Sequence, residues 1–154
     1  ETSGVTDQAL IDKFKGYLMP KLKDVMIYDY DAKGKEISTK LKEINNEEIK
    51  IFKGNFTGKD NNEFLVGVNI RNNATNFSSA IWIMDENGKL IHEFKPLETN
   101  SFTFGVPHMV TDFNGDGVLE VITNDGYYEG GGYNFHKFTG NEFKTLTTGF
   151  IFGV

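Results

Sequence analysis

The chain has 154 residues, a formal net charge of −6, no cysteine and 14 % aromatic residues, with 17 glycines and 3 prolines. The missing cysteine excludes disulfides, thiolate metal sites and a cysteine nucleophile, and the negative charge disfavours nucleic acid as a partner because phosphates would be repelled. The length suits a single domain with a real core. Aromatic residues separated by Gly and Asn turns indicate short strands.

Residues 1–24 are expected to form an N-terminal helix that packs on the rest of the chain. Thr6 is a candidate N-cap, and Pro20 should end the helix near Met19. The apolar residues at helical spacing are Leu10, Ile11, Phe14 and Leu18. The opening residues 1–4 are expected to be the start of a processed or trimmed chain.

From residue 25 onwards the pattern changes to strands joined by related turns. The segments 31–35 and 85–89 align, with Gly34 matching Gly88, and each lies between two apolar runs. Both predict β-hairpins whose turn uses glycine for a positive φ. A third hairpin is predicted around Gly140.

A nine-residue stretch, 112–120, carries oxygen ligands at alternating positions. The predicted metal ligands are Asp112, Asn114, Asp116, the carbonyl of Val118, and Glu120. Such a set suits Ca²⁺, which takes six to eight oxygens at roughly 2.3–2.6 Å, and Gly115 and Gly117 permit a tight turn. An EF-hand would need Glu at position twelve, where Thr123 stands, and would be flanked by helices rather than strands. The alternative is an Asx-rich turn without metal.

Residues 55–63 align without a gap on residues 112–120. Phe56 matches Phe113 and Glu63 matches Glu120, and both copies run into an apolar strand. The first copy carries no acid at the positions of the three central ligands, and Lys59 places a cation there. We therefore expect this copy to bind no metal.

The stretch 112–120, followed by an apolar strand, resembles the calcium loops of FG-GAP and VCBS repeats. This resemblance implies a Ca²⁺ loop and blade-like hairpin repeats, as in integrin-type β-propellers. Residues 25–154 hold only two and a fraction repeats of about 55 residues, and closed propellers need at least about four blades. A partial propeller or a fragment of a longer protein are alternatives. We predict a mainly β fold of antiparallel hairpins, a compact sandwich or curved meander capped by the N-terminal helix, with residues 150–154 as its last strand.

A Gly- and Tyr-rich segment at residues 124–133 directly follows the strand that leaves the predicted metal loop. Paired tyrosines beside glycines are typical of an adaptable contact surface. The alternative is a long hairpin whose tyrosines fold back onto the core.

No arrangement of residues indicates catalysis. His92, His108 and His136 are the only histidines, and no two have the spacing of a zinc site. A serine nucleophile elbow and a phosphate loop before a helix are also lacking. We expect a protein that is not an enzyme.

Three classes of function follow. The first is a secreted or surface-anchored calcium-binding module, from a bacterium, that presents a binding surface to a protein or a cell-surface glycan. The second is an inhibitor or immunity protein, because residues 111–143 are similar in layout to small periplasmic lysozyme inhibitors. The third is an accessory domain of an enzyme. No apolar run is long enough for a transmembrane helix.

Overall fold

A computed structural model of the chain describes residues 2–59, 62–127 and 129–148. Within these residues lie one α-helix, α1 (Gln8–Leu18), two short 3₁₀ helices (Met19–Lys21 and Asn46–Glu48) and ten β-strands. The strands are β1 (Met26–Tyr30), β2 (Glu36–Lys40), β3 (Ile49–Gly54), β4 (Glu63–Arg71), β5 (Phe77–Met84), β6 (Leu90–Ser101), β7 (Thr103–Thr111), β8 (Glu120–Tyr127), β9 (Gly130–Phe138) and β10 (Phe143–Thr148).

The strands form three antiparallel sheets. β1 and β2 make a two-stranded hairpin, β3 to β6 make a first four-stranded sheet in sequence order, and β7 to β10 make a second one. The described residues contain no closed barrel, and the predicted mainly β fold with a single N-terminal helix is confirmed as a sandwich. Residues 150–154, predicted as the last strand, lie outside the described residues.

The N-cap of the helix lies one residue later than the sequence predicted. The N-cap is Asp7 rather than Thr6, because the Asp7 carboxylate accepts a hydrogen bond of 3.1 Å from the Leu10 amide. Pro20 lies in the 3₁₀ helix that follows, so the α-helix ends where expected. Phe14 and Leu18 are fully buried.

Two apolar clusters define the layers. One lies between α1 and the outer face of the first sheet, where the Phe14 and Phe64 rings are 4.7 Å apart. The other lies between the two sheets, and its buried members are Phe52, Phe56, Leu65, Ile81, Ile83, Val110 and Val121. The order of layers is therefore helix, first sheet, second sheet.

The two aligned turns have the same hydrogen bonds. In the first turn, one carboxylate oxygen of Asp31 accepts the backbone amides of Lys33 and Lys35. In the second turn, one carboxylate oxygen of Asp85 accepts those of Asn87 and Lys89. The glycines have φ of 75° and 78°. In the β9–β10 turn, Thr139 donates its amide to the Glu142 carbonyl. Thr139 follows Asp85 by 54 residues, the same distance in sequence as that from Asp31 to Asp85. The three predicted hairpins are confirmed.

Residues 124–127 pair with residues 130–133 as the two strands of a hairpin. β8 runs on to Tyr127 and β9 begins at Gly130, so that Tyr127 pairs with Gly130 and Asn124 with Tyr133. Its glycines allow close approach: a Cβ at Gly126 would overlap the Phe104 ring. The Gly-rich composition therefore serves packing between neighbouring strands.

Candidate functional site

The predicted metal loop joins β7 to β8, and its first carboxylate is turned inward onto the loop backbone. One oxygen of Asp112 accepts the amides of Gly115 at 2.7 Å and Asp116 at 3.1 Å, and the other accepts the Gly117 amide at 2.8 Å. Gly115 and Gly117 have φ of 76° and 82°, as the sequence predicted for a turn of this kind.

The third and fifth residues of the loop face each other. The Asn114 side chain accepts the Asp116 amide at 3.0 Å and donates to the Asp116 carboxylate at 2.9 Å. Asp116 also accepts the Val118 amide at 2.9 Å. This backbone bond, then the Asn114 amide and the nearby Lys137 cation, lower the pKa of Asp116. The side chains of three predicted ligands, Asp112, Asn114 and Asp116, are thus hydrogen-bonded within one tight loop.

Glu120 lies below the loop rather than within it. Its carboxylate is buried, accepts the Phe113 amide at 2.8 Å through Oε2, and has Lys137 Nζ 3.5 Å from Oε1. Among the described residues, no three acidic or histidine side chains are arranged to hold a metal by themselves. A metal at this loop would therefore need the Asn114 amide and the backbone carbonyl besides the carboxylates.

The first copy, residues 55–63, closes in the same manner. Glu63 is buried and accepts the amides of Phe56 at 2.7 Å and Thr57 at 2.9 Å, together with the Thr57 hydroxyl. Gly58 has φ of 76°, equal to that of Gly115. We call Glu63 and Glu120 the closing glutamates. Their alignment was visible in the sequence, but sequence reasoning assigned Glu120 to a metal and missed this shared role.

The two loops lie side by side. The Asn55 side chain donates to the Gly117 carbonyl at 3.1 Å, and the Leu119 amide donates to the Asn55 carbonyl at 2.7 Å. A Cβ at Gly54 would overlap the Leu119 side chain. The first loop therefore braces the end of the second.

Phe113, in the second loop, borders an apolar groove on the outer face of the second sheet. The groove has a volume of about 500 Å³. The residues that line it include His108, Phe113, Ile122, Tyr133, Phe135 and Leu146. Phe113 is 55 % exposed with its ring 5.6 Å from Phe135, and Leu146 is 65 % exposed. We call this feature the outer groove. The equivalent outer face of the first sheet is covered by α1.

The histidines are placed differently from one another. His108 and Tyr133 have ring centroids 4.9 Å apart on the outer face. His136 is buried between the sheets, where burial lowers its pKa to about 4, and neighbouring His92 adds to the effect. Burial also lowers the pKa of His92. All three are strand residues.

Comparison of the chain with protein-family models, with curated proteins and with solved structures gave no match. No helix within the described residues is long and apolar enough to cross a membrane. The assignment to FG-GAP or VCBS repeats therefore stays a prediction from the loop residues.

Proposed function

We propose that the chain is a non-enzymatic calcium-binding β-module in which the metal fixes the loop at residues 112–120 and, through it, a binding surface. The observation that carries this proposal is that the side chains of Asp112, Asn114 and Asp116 are held by hydrogen bonds on one short loop, which places three sets of side-chain oxygens near one another. These are hard oxygen ligands of the kind that Ca²⁺ prefers. The Val118 carbonyl and Glu120 complete the proposed set.

Lys137 is the cation that neutralises this region in the absence of metal. Its ammonium lies beside Glu120 and contributes to the lowered pKa of Asp116. Ca²⁺ would place two charges where Lys137 now supplies one, so the lysine opposes binding by repulsion. The first loop has Asn55, Thr57 and Lys59 at the positions of Asp112, Asn114 and Asp116, so it has no acid there to attract a metal.

The outer groove is the surface that calcium would organise. Phe113 belongs both to the loop and to the groove, so a fixed loop holds this ring at the groove wall. An apolar groove of this kind suits an apolar side chain of a protein partner. Calcium sites of moderate affinity are useful where Ca²⁺ is abundant, which favours a secreted or surface-anchored bacterial protein.

The test is a calorimetric titration of chelator-treated protein with Ca²⁺. The expected stoichiometry is one, with no binding at residues 55–63, and Mg²⁺ should compete poorly because it demands octahedral geometry. A hundredfold excess of Ca²⁺ over Kd should stabilise the fold by about 2.7 kcal/mol. Two sites, or no heat, would contradict the proposal.

Asp116→Ala should abolish most of the calcium response, while Asp85→Ala, in an ordinary turn, should preserve it. In chelator the Asp116 variant should melt somewhat lower than the wild type, because the hydrogen bonds that Asp116 accepts from Val118 and Asn114 are lost. The calcium response is therefore measured as the difference in melting temperature between Ca²⁺ and chelator for each variant. Hydrogen exchange at Phe113 and across residues 124–133 should slow when Ca²⁺ is added. If the melting temperature responds to calcium but exchange does not, the metal only stabilises the fold, and the binding-surface part is wrong.

A second candidate is an inhibitor of a hydrolase. The outer groove offers an exposed apolar contact on a protein of net charge −6, which would attract a basic enzyme such as a lysozyme. The chain should then inhibit such an enzyme at low salt, and Phe113→Ser should abolish the inhibition. This result would favour the inhibitor over a module that binds other partners.

A further inference from the structure

A second cavity, distinct from the outer groove, lies between the two sheets. It has a volume of about 380 Å³ and is lined by residues of β5 and β6 from the first sheet and of β7, β8, β9 and β10 from the second sheet. That volume is within the roughly 300–1,000 Å³ of small-molecule pockets. We call it the inter-sheet cavity. Neither the metal loop nor Phe113 contributes to it.

Part of the lining of the inter-sheet cavity is apolar and partly aromatic. Ile81 and Phe94 contribute to it from the first sheet and Phe104 from the second. The Phe94 ring also stacks against His136, with centroids 4.6 Å apart, which fixes its orientation. An aromatic face with its negative quadrupole accepts the polarised C–H groups of a ligand ring.

The second sheet adds a hydrogen-bond relay beside Phe94, and not all of its donors and acceptors are used within the protein. His136 lies between two hydroxyls, Thr123 at 3.0 Å from Nε2 and Thr145 at 2.8 Å from Nδ1. A neutral imidazole donates once and accepts once, so one threonine receives the ring hydrogen and the other gives its own. In either tautomer, one hydroxyl hydrogen is left to donate into the cavity. Both hydroxyl oxygens can accept as well.

At the mouth, charges are paired within the protein. Lys95 forms an ion pair of 2.8 Å with Glu98, which leaves two ammonium hydrogens for another acceptor. Asp125 accepts from the Asn134 amide, and partial burial raises its pKa. One Asp125 oxygen and the Asn134 carbonyl oxygen remain as acceptors. The mouth of the cavity therefore offers both donors and acceptors to a ligand.

These features select the ligand class by charge. An anion would be repelled by Asp125, because the charge of Lys95 is already paired with Glu98, and a cation at Asp125 would be repelled by Lys95 nearby. A purely apolar molecule would leave the relay and the mouth groups without partners, which costs free energy. What remains is a neutral ligand whose groups both donate and accept and whose ring has an apolar face.

We propose that the inter-sheet cavity binds a neutral saccharide unit, with its ring against Phe94 and its hydroxyls on Asp125, Asn134, Lys95 and the Thr123–His136–Thr145 relay. The site goes beyond the proposed calcium module and needs no metal. Asp125 and Asn134 are its specificity-determining residues, because they lie at the mouth and can accept and donate to adjacent hydroxyls.

The test is a titration of the ¹⁵N-labelled 154-residue chain, in chelator, with four probes: methyl β-glucoside, N-acetylglucosamine, cellobiose and maltose. At least one should give saturable amide shifts that are centred on Thr123, Asp125 and Asn134. Asp125→Ala should weaken binding of that probe about tenfold, through loss of the side-chain oxygen that accepts a hydrogen bond from the ligand. Asn124→Ala, on the other face of the same strand, is the matched control and should change affinity less than about twofold.

Charge is tested separately with Asp125→Asn, which keeps a side-chain oxygen at the mouth and removes the charge. A neutral saccharide should retain most of its affinity for this variant. Choline and inorganic phosphate serve as cationic and anionic probes. The proposal is overturned if no saccharide shifts these amides, if binding survives Asp125→Ala undiminished, or if choline or phosphate occupies the cavity in preference to the saccharides.

Discussion

Two loops of the molecule, at residues 55–63 and 112–120, are closed by the same hydrogen bond to a backbone amide but differ in their remaining side chains. In each, a closing glutamate accepts the amide of the phenylalanine at the second position, and a glycine at the fourth position has φ of 76°. Only the second loop has acids at its first and fifth positions. Closure of the loop is thus separate from any affinity for metal.

The difference extends to the sheets that carry the loops. The first sheet is covered by α1 on one face and by the second sheet on the other, and its strands β4 and β5 are almost wholly buried. The second sheet bears the acidic loop, the outer groove and the polar side of the inter-sheet cavity. We infer that the first sheet provides stability while the second provides the surfaces for ligands.

The largest expected effect comes from breaking closure in the first loop. Glu63→Ala removes the acceptor of two buried amides and one hydroxyl, and should lower the free energy of unfolding by about 3 kcal/mol. Glu120→Ala removes the acceptor of only one amide and should cost about 2 kcal/mol in chelator. Urea denaturation measures both, and Glu36→Ala, at an exposed strand position, is the control.

A milder variant separates closure from charge. Glu63→Gln keeps one oxygen for the two amides, and its NH₂ group can donate to the Thr57 hydroxyl. It should therefore retain more than half of the stability that Glu63→Ala loses. Equal losses for the two variants would mean that the negative charge, and not the hydrogen-bond geometry, holds the loop.

The next effect is a pH dependence that originates in the second sheet. The pKa of His136 is about 4 in the folded protein, against 6.5 ordinarily, so between these values the unfolded chain binds the extra proton. The contribution of this residue is constant above pH 6.5 and is lost as the pH falls towards 4. We expect a loss of about 2 kcal/mol between pH 7 and pH 4.5, allowing for partial solvation.

Urea denaturation as a function of pH checks this dependence. His136→Gln should flatten the curve in that window, since glutamine can bond to the threonines without titrating. His108→Gln, on the outer face, should keep the wild-type curve. A His136→Gln curve that is as steep as that of the wild type would show that the acid sensitivity has another origin.

The smallest effect concerns the cation beside the acidic loop. Lys137→Met keeps the aliphatic stem and removes the charge 3.5 Å from Glu120, so Ca²⁺ should bind about threefold more tightly. Lys50→Met, in the first sheet, should leave the affinity as it is. Weaker Ca²⁺ binding by Lys137→Met would mean that the lysine orients Glu120 for the metal instead of competing with it.

The sequence alone determined the features that depend on residues close together in the chain. The turns at Asp31 and Asp85 and the closure of both loops arise from hydrogen bonds that span seven residues or fewer. Such bonds follow from residue type and from the backbone angles that glycine permits, and alignment of the repeats predicted the two turns. The alignment also matched Glu63 with Glu120, but the sequence reasoning did not recognise that both glutamates close their loops. The strand-rich fold with one helix followed from apolar spacing in the same way.

Only the tertiary structure decided which residues from distant strands meet. Asn55 braces Gly117 across 62 residues, and His136 meets Thr123, Thr145 and Phe94 because the register of β8, β9 and β10 and the packing of β6 bring them together. The order of sheets likewise left one face of the second sheet outside the cover of α1. Register and layer order arise from burial summed over whole faces of the sheets, and no local pattern in the sequence encodes that sum.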